Sequence, residues 1–422
     1  MSGGRDLGGD GERGVVVVAA RRTPIGNGGG LLRALGCDEL AAPVLRAVLD
    51  DVGVTSVDDV LLGNVFGPGG NTARVAALAA GLGNAVPGIT VDRQCASGLA
   101  AITLAAAMIR AGEGEVYLAG GVESASTAPH RARRGSPPVE YTRAPFAPAG
   151  HEDPEMGVAA DRVAAEAGIS RARQDAFALR SHERAVAAQR AGRFAGELVP
   201  VAGVDRDQRP RAGFTAERLA RFRPAFTPGG TATAANSCAV SDGAAAVLLV
   251  SERVRRELGL PGLRLLGAAT SAVEPGRLGL GAVPAMQQVL KAGSPVVTEF
   301  NEAFAGQALA CLDAAGIDER TASPDGGAIA LGHPWGASGA VLVVRLFSRL
   351  VRQAAGVAAG PAGQAGQGSG TPERPGVAAG RGPGEALAGG VGLAALSAGG
   401  GLGVATLWQA VGPDGVPGRM AP

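Results

Sequence analysis

The chain has 422 residues, of which 46% are hydrophobic, so it can form more than one domain and bury a large core. Its net charge of +1 gives no general attraction to nucleic acid or to a membrane surface. The four cysteines (Cys37, Cys95, Cys238 and Cys311) form no CxxC pair. This pattern speaks against a zinc site or a disulfide framework and favours a reducing compartment. The sequence predicts a cytoplasmic protein without a membrane span or a nucleic-acid partner.

After a flexible leader over residues 1–13, apolar runs alternate with segments of helical spacing. The predicted elements are a strand at Val15–Ala20, a helix at Asp38–Asp51, a strand at Val60–Phe66, a helix at Asn71–Ala80 and a strand at Glu115–Gly120. Continuous apolar strands alternating with helices predict a mostly parallel α/β domain. We assign residues 14–121 and 236–262 to this N-terminal half.

Residues 122–235 differ in character because they are polar and rich in proline and arginine. One helical region is predicted there, at Pro154–Ala191. The segment is interpreted as a subdomain inserted over the main sheet. Its excess of arginine could face a phosphorylated ligand, or it could simply form a solvated helical face.

The second half of the chain repeats the pattern of the first. A buried strand begins at Asp242, Leu263–Ala269 corresponds to the first strand, and Ser323–Leu350 again combines an apolar run, a turn of small residues and an apolar helix. An internal duplication is therefore predicted, with residues 263–422 as the C-terminal half. Two similar halves would bring their equivalent turns, which carry Cys95 and His333, towards a shared pseudo-twofold axis.

Cys95 lies where an apolar run ending near Asp92 gives way to a long apolar helix. The first N–H groups of a helix are unpaired, and the positive end of the helix dipole favours a thiolate over a thiol. A buried structural cysteine is the alternative, since free cysteine is among the most buried residue types. The position at the junction favours a nucleophile.

Three further features are candidates for the same chemistry. His333, in a glycine-rich turn, is the best placed of the four histidines to act as a base. Asn301 is either an oxyanion-hole donor or a helix N-cap. The glycines at 399–401 either cradle an oxyanion through their N–H groups or form a plain tight hairpin. The sequence has no nucleotide-binding or hydrolase fingerprint in a suitable context.

Five motifs occur in a characteristic order along the chain: DRQCASGLAA, AGGVESAS, NEAFAGQ, GGAIALGHPWGASGA and GGGLG. With them the chain resembles the thiolase family, the acyl-CoA C-acyltransferases, over nearly its whole length. The resemblance implies a duplicated thiolase fold with five layers, αβαβα. It also implies that residues 122–235 are a loop domain that binds coenzyme A and makes oligomer contacts.

The resemblance assigns catalytic roles to the motif residues. Cys95 would be the acylated nucleophile, His333 the base that activates it, and Asn301 the residue that orients a water in an oxyanion hole. A second oxyanion hole would be formed by the backbone N–H groups of Cys95 and Gly399.

The resemblance also implies a substrate site. Coenzyme A thioesters would be the substrates, with no bound cofactor and no metal, in a homodimer or homotetramer. Arg211 would lie near the adenine nucleotide, and Met156 and Phe226 near the pantetheine and acyl end. Cys238 would belong to the loop that contacts coenzyme A.

Several positions depart from the family pattern. Ser397 replaces the second cysteine, which is the acid/base of the closing motif, and a serine hydroxyl is far less acidic than a thiol. Cys238 stands in place of a frequent serine, and Glu155 in place of a frequent histidine. Residues 356–390 form a Gly/Ala/Pro-rich insertion that is predicted to be a disordered linker.

Three functions are compatible with these residues. The favoured one is a thiolase of fatty acid metabolism, which performs thiolysis of 3-ketoacyl-CoA or Claisen condensation with acetyl-CoA. The second is a related condensing or acyl-transfer enzyme, for example one with a decarboxylating donor. The third is a non-catalytic acyl-CoA-binding homologue. The sequence leaves open the acyl chain length and the direction of the reaction.

Overall fold

A computed structural model describes residues 11–353 and 389–413. The predicted leader is described only from residue 11, and the predicted linker lies outside the described residues except for its last two positions. The strands are β1 (Val15–Arg22), β2 (Gly26–Asn27), β3 (Asp59–Gly63), β4 (Gly88–Val91), β5 (Val116–Ser124), β6 (Ala132–Arg133), β7 (Val139–Glu140), β8 (Ser241–Ser251), β9 (Gly262–Ala272), β10 (Val297–Phe300), β11 (Val391–Ala398) and β12 (Leu402–Val411). The α-helices are α1 (Cys37–Asp50), α2 (Thr72–Ala79), α3 (Ser97–Ala111), α4 (Met156–Glu166), α5 (Arg171–Arg190), α6 (Ala216–Ala220), α7 (Glu252–Leu258), α8 (Ala282–Val289), α9 (Ala305–Ala314), α10 (Ala328–Leu331) and α11 (Trp335–Phe347).

The main strands follow one hydrogen-bonded path in the order β10-β11-β12-β9-β1-β8-β5-β3-β4. The two halves meet where β1 pairs with β9, through Val16 opposite Arg264 and Val17 opposite Leu263. Outward from this junction, β1, β8, β5 and β3 on one side correspond to β9, β12, β11 and β10 on the other. The predicted duplication is therefore visible in the order of the strands.

The expectation of a mostly parallel sheet is wrong. Only the pairs β3–β4, β3–β5 and β10–β11 are parallel among the main strands described. β8 returns after the inserted region antiparallel to both β5 and β1. β12 follows β11 directly through the turn at Gly399–Gly401 and must run antiparallel to it. Burial on both faces makes these strands apolar throughout, which resembles the pattern of a parallel sheet.

Three hydrophobic clusters define five layers. The first cluster joins α3 and α11 to strands of both halves. The second packs α1 and α2 on the outer face of the first half, and the third packs α8 and α9 on the outer face of the second half. The order from one surface to the other is therefore helix, sheet, helix, sheet, helix, as the fold prediction requires.

Two predicted elements differ in the structure. The helical region at Pro154–Ala191 is two helices, α4 and α5, because the chain turns at Gly168, which has a φ of 66°. The apolar run that follows Ser323 is not a strand. It forms the four-residue helix α10, and the backbone N–H groups of Gly327 and Ile329 donate to Ser181 on α5 and to Glu302 in the loop after β10.

Among the described residues, one segment, Gln94–Ala111, is long and apolar enough to cross a membrane. It contains α3, and 61% of it is buried inside the protein. Since the core helix of a globular protein has the same composition, this burial identifies α3 as a core helix.

The contact between α3 and α11 depends on glycine. A Cβ atom at Gly98 would lie 2.6 Å from the carbonyl oxygen of Gly336, which is closer than real Cβ contacts allow. We predict that Gly98→Ala lowers the free energy of unfolding by about 1–3 kcal/mol, the usual cost of overpacking a core. Gly267→Ala is the matched control, since its Cβ would meet only Val289, at 3.8 Å. Chemical denaturation of both variants measures the difference, and equal midpoints would contradict this contact.

Candidate active site

Cys95 occupies a tight turn between β4 and α3. The Asp92 side chain accepts a hydrogen bond from the N–H of Gln94 at 2.8 Å, and Gln94 adopts a φ of 51°. The Ser97 hydroxyl accepts from the N–H of Arg93 at 2.7 Å and donates to the carbonyl of Gln94 at 2.6 Å. These bonds fix the Cys95 side chain at the N-terminus of α3, where it is 8% exposed.

The turn with Cys95 and the turn with His333 belong to helices that meet at their N-termini. A Cβ at Gly98 would contact the carbonyl of Gly336, and a Cβ at Gly339 would lie 2.5 Å from the N atom of Leu99. Only glycine permits so close an approach of two backbones. The duplication predicted from the sequence thus brings the two helices together.

The electrostatic environment of Cys95 has opposing contributions. Burial raises the pKa of the thiol to about 12, and the nearby Cys238 contributes in the same direction. Backbone N–H groups of Gly399 and of Cys95 itself lower this pKa because they can donate to the thiolate. The Cys95 thiol is therefore neutral at pH 7. Burial thus outweighs the helix N-terminus, which by itself favours a thiolate.

His333 lies two residues before the start of α11 and is buried. Its Nδ1 lies 2.6 Å from the Ser338 hydroxyl, and its backbone N–H donates to the Ser241 hydroxyl at 3.1 Å. Burial lowers the pKa of His333 to about 4, so the imidazole is neutral at pH 7. Its Nε2 is buried and has no hydrogen-bond partner within the described residues. A neutral imidazole with an unpaired nitrogen can accept a proton.

Asn301 follows β10 directly, and its backbone N–H donates to the carbonyl of Ala395 at 3.1 Å. The N-cap of α9 is Phe304, which rules out the alternative that Asn301 caps this helix. Asn301 is 2% exposed, and its Nδ2 has no partner in the part of the chain that the structure describes. An unpaired buried amide donor is costly, and this one is free to bind a water or a substrate oxygen.

Glu123, which was given no role from the sequence, fixes the geometry of this site. At the end of β5 it accepts hydrogen bonds from the N–H groups of Val65, Phe66 and Gly336, and from the Asn64 amide. Burial raises the pKa of Glu123 to about 7, although the three backbone N–H groups act in the opposite direction. Glu123 was assigned to the inserted region because the predicted strand ended at Gly120, whereas β5 continues to Ser124. The available signal was a lone acid after an apolar run.

Glu302 links the inserted region to the site. It accepts from the Ser181 hydroxyl at 2.6 Å and from the N–H of Ile329 at 3.3 Å. The Ser181 hydroxyl also accepts from the N–H of Gly327 at 3.1 Å. Burial raises the pKa of Glu302 to about 7. These contacts tie α5 to the residues that follow Asn301.

Ser397 lies on β11, two residues before Gly399. Its hydroxyl donates to the carbonyl of Gly279 at 2.8 Å and accepts from the N–H of Ala282 at 3.0 Å. Its Oγ lies 3.9 Å from the Sγ of Cys311, a contact that the sequence did not reveal. Ser397 also lines a narrow cavity together with Met156 and Phe304.

The residues expected near coenzyme A fall in two places. Met156 begins α4 at the narrow cavity beside Ser397, and Phe226 packs edge to face against Phe304 with ring centroids 5.6 Å apart. The backbone N–H of Cys238 donates to the carbonyl of Ala303 at 2.9 Å, which places it near this group. Arg211 is separate and exposed, and its N–H donates to Nδ1 of His182 at 3.3 Å.

Within residues 11–353 and 389–413, no group of three or more His, Cys, Asp or Glu side chains could hold a metal ion. The site described above consists of a thiol, an imidazole, an amide, a hydroxyl and backbone N–H groups. These groups suit covalent acyl transfer.

Comparison with known proteins agrees with this chemistry. The thiolase N-terminal domain family matches residues 15–253, and the thiolase C-terminal domain family matches residues 261–372. The chain belongs to the thiolase family. It is 41% identical over 366 residues to an acetyl-CoA acetyltransferase of Pseudomonas aeruginosa, an alignment that spans 80% of this chain and 93% of that protein.

A solved structure supports the same assignment. The chain is similar to the crystal structure of the Bacillus anthracis acetyl-CoA acetyltransferase, with a TM-score of 0.81 and 34% sequence identity. The similarity covers 94% of this chain and 99% of that one. The duplicated five-layered fold of this thiolase is therefore shared with a known member of the family.

The low pKa of His333 predicts the pH dependence of acylation. A histidine that acts as a base must be neutral, and burial keeps His333 neutral down to about pH 4. We expect the acylation rate of Cys95 to stay level as the pH falls through 6.5, the usual histidine value, and to decline only near pH 4. His333→Ala should lower this rate by about 10²–10⁴-fold, the usual contribution of a general base.

Rapid-quench measurement of acyl-enzyme formation across this pH range provides the check. His151→Ala removes an exposed histidine and serves as the control, for which we expect the wild-type profile. An inflection near pH 6.5, or an unchanged rate in a folded His333→Ala variant, would transfer the role of base to another group.

Proposed function

We propose that this thiolase is an acyl-CoA C-acyltransferase that forms an acyl-Cys95 intermediate. The observation that carries the proposal is the arrangement around Cys95. The buried Cys95 thiol lies at the N-terminus of α3, and the Gly399 N–H is directed at it. The helix that follows His333, α11, packs against α3. Relatives named acetyl-CoA acetyltransferases support the same activity.

In the first half-reaction the Cys95 thiol transfers its proton to Nε2 of His333 as the sulfur attacks the thioester carbonyl. Both groups are neutral beforehand, so the proton moves during the attack rather than earlier. The N–H groups of Cys95 and Gly399 stabilise the negative charge that develops on the carbonyl oxygen. The bond to the coenzyme A sulfur then breaks, and the acyl group stays on Cys95.

In the second half-reaction a nucleophile takes the acyl group from Cys95. For condensation this nucleophile is the α-carbon of acetyl-CoA, and for thiolysis of 3-ketoacyl-CoA the chemistry runs in reverse with coenzyme A. Among the described residues, Asn301 and His333 each have one buried nitrogen without a hydrogen-bond partner, and together they can bind the second thioester oxygen directly or through a water. Ser397 occupies the position of the proton-transferring group.

We propose a substrate path along the inserted region. We place the pantetheine and acyl end beside Met156, Phe226 and Cys238, and the adenine nucleotide towards the exposed Arg211. Residues 122–235 then form the coenzyme A-binding loop domain between thiolase halves at 14–121 with 236–262 and at 263–422. A homodimer or homotetramer in the cytoplasm, without a bound cofactor, stays a prediction.

Thiolysis of acetoacetyl-CoA by coenzyme A tests this function. We expect ping-pong kinetics, and no activity in Cys95→Ala. Ser397→Cys should raise thiolysis and condensation about 10-fold or more, because a thiol is a better acid and base than a hydroxyl and general acid–base catalysis contributes about 10²–10⁴-fold. Acylation of Cys95 should change much less, since it uses His333 and the oxyanion donors.

The proposal is contradicted if the wild type acylates Cys95 but neither the wild type nor Ser397→Cys catalyses thiolysis or condensation. Turnover with a decarboxylating malonyl thioester in place of acetyl-CoA would then identify a different donor class. Absence of acylation by every acyl-CoA would leave a binding protein.

A further inference from the structure

The Ser397 hydroxyl is part of a buried group of donors around one acceptor. The carbonyl of Gly279 lies 2.8 Å from Ser397 Oγ, 3.0 Å from Gln307 Nε2 and 3.1 Å from Cys311 Sγ. A carbonyl oxygen has two lone pairs, so three donors exceed its ordinary capacity. One of the three protons is therefore free to point elsewhere.

Cys311 has a second acceptor within reach. Its Sγ lies 3.9 Å from Ser397 Oγ, a distance at which either atom can donate. If the thiol donates to Ser397 Oγ instead of to the carbonyl, the serine can pass its own proton to a group bound in the cavity that it lines with Met156 and Phe304. The contacts thus form a chain from the thiol through the hydroxyl to the proposed acyl site.

Cys311 is fully buried on α9, and the described contacts give it no other role. Burial raises the pKa of its thiol to about 12, while hydrogen bonds from Ser397 and Gln307 lower it. Both bonds favour the thiolate because they donate to sulfur. A serine hydroxyl is less acidic still, so the Cys311 thiol releases and takes up a proton more easily than the Ser397 hydroxyl does.

We propose that Cys311 is a positioning and proton-relay residue that acts through Ser397, so that this pair replaces the usual second cysteine. The inference rests on the proposed acyl-CoA C-acyltransferase function. It explains how a chain with serine at position 397 can still move the α-proton of acetyl-CoA without forming a serine alkoxide.

Each group in the proposed relay that gives up a proton has regained one by the end of one turnover. When coenzyme A leaves after acylation, its thiolate takes the Ser397 hydroxyl proton, and the S–H of Cys311 replaces that proton. Cys311 is now a thiolate. The α-proton of acetyl-CoA then passes to Ser397, the serine proton passes to Cys311, and the electron pair of the broken C–H bond attacks the acyl carbon. Cys95 leaves as a thiolate and takes back its proton from His333.

Exchange of the α-protons of acetyl-CoA in D₂O measures this step directly. We compare wild type, Cys311→Ser, which keeps a donor but removes the thiol, and Cys37→Ser, which changes another buried thiol. Cys311→Ser should slow exchange at least about 10-fold and remove the rise in exchange rate towards alkaline pH that ionisation of the Cys311 thiol produces. Acylation of Cys95 by the same acetyl-CoA should stay within about twofold. Cys37→Ser should match the wild type in both assays.

A second background separates a relay from a structural role. In Ser397→Cys the new thiol handles the α-proton itself, so adding Cys311→Ser should change exchange less than about twofold. Equal losses in both backgrounds, equal losses of acylation and exchange, or exchange in Cys311→Ser at the wild-type rate would each overturn the proposal. Failure of acylation in the wild type would instead overturn the proposed function itself.

Discussion

The site depends on the close approach of two helix N-termini at the centre of the molecule. Gly98 and Gly339 allow the backbones of α3 and α11 to touch, because a methyl group at either position would collide with a main-chain atom of the other helix. Glu123 completes the contact by accepting the N–H of Gly336. This geometry places Cys95 and His333, which come from opposite halves of the sequence, beside the contact between the N-termini of α3 and α11.

A second constraint holds the inserted region on this core. Arg22 of β1 is fully buried and pairs with Glu197 and Asp207, while Arg345 of α11 pairs with Glu197 and Asp325. Desolvation makes such a network a weak source of net stability, but loss of one partner leaves a buried charge uncompensated, at a cost of about 3–5 kcal/mol. The network therefore fixes where the inserted region lies relative to α11.

The sequence predicted the local elements and the candidate catalytic residues better than it predicted the tertiary contacts around them. The junction at Cys95 and the repeated turn before α11 are visible because apolar periodicity and small residues are local signals. The strand directions, the neutral state of Cys95 and the contact between Ser397 and Cys311 are set by tertiary packing. The apolar pattern of NEAFAGQALAC does not reveal that Cys311, rather than a neighbouring residue, contacts β11. Glu123 lies beyond the predicted strand, which ended at Gly120, and its partners come from two other segments.

The central claim is that Cys95, and no other thiol, carries the acyl group during transfer. The most direct measurement is intact mass after a short incubation with acetyl-CoA, followed by acid quench and peptide mapping of the modified residue. The account predicts one added acetyl group per chain, located on Cys95 and removed when coenzyme A is added. An unmodified chain, or an acetyl group on Cys37, Cys238 or Cys311, would contradict it.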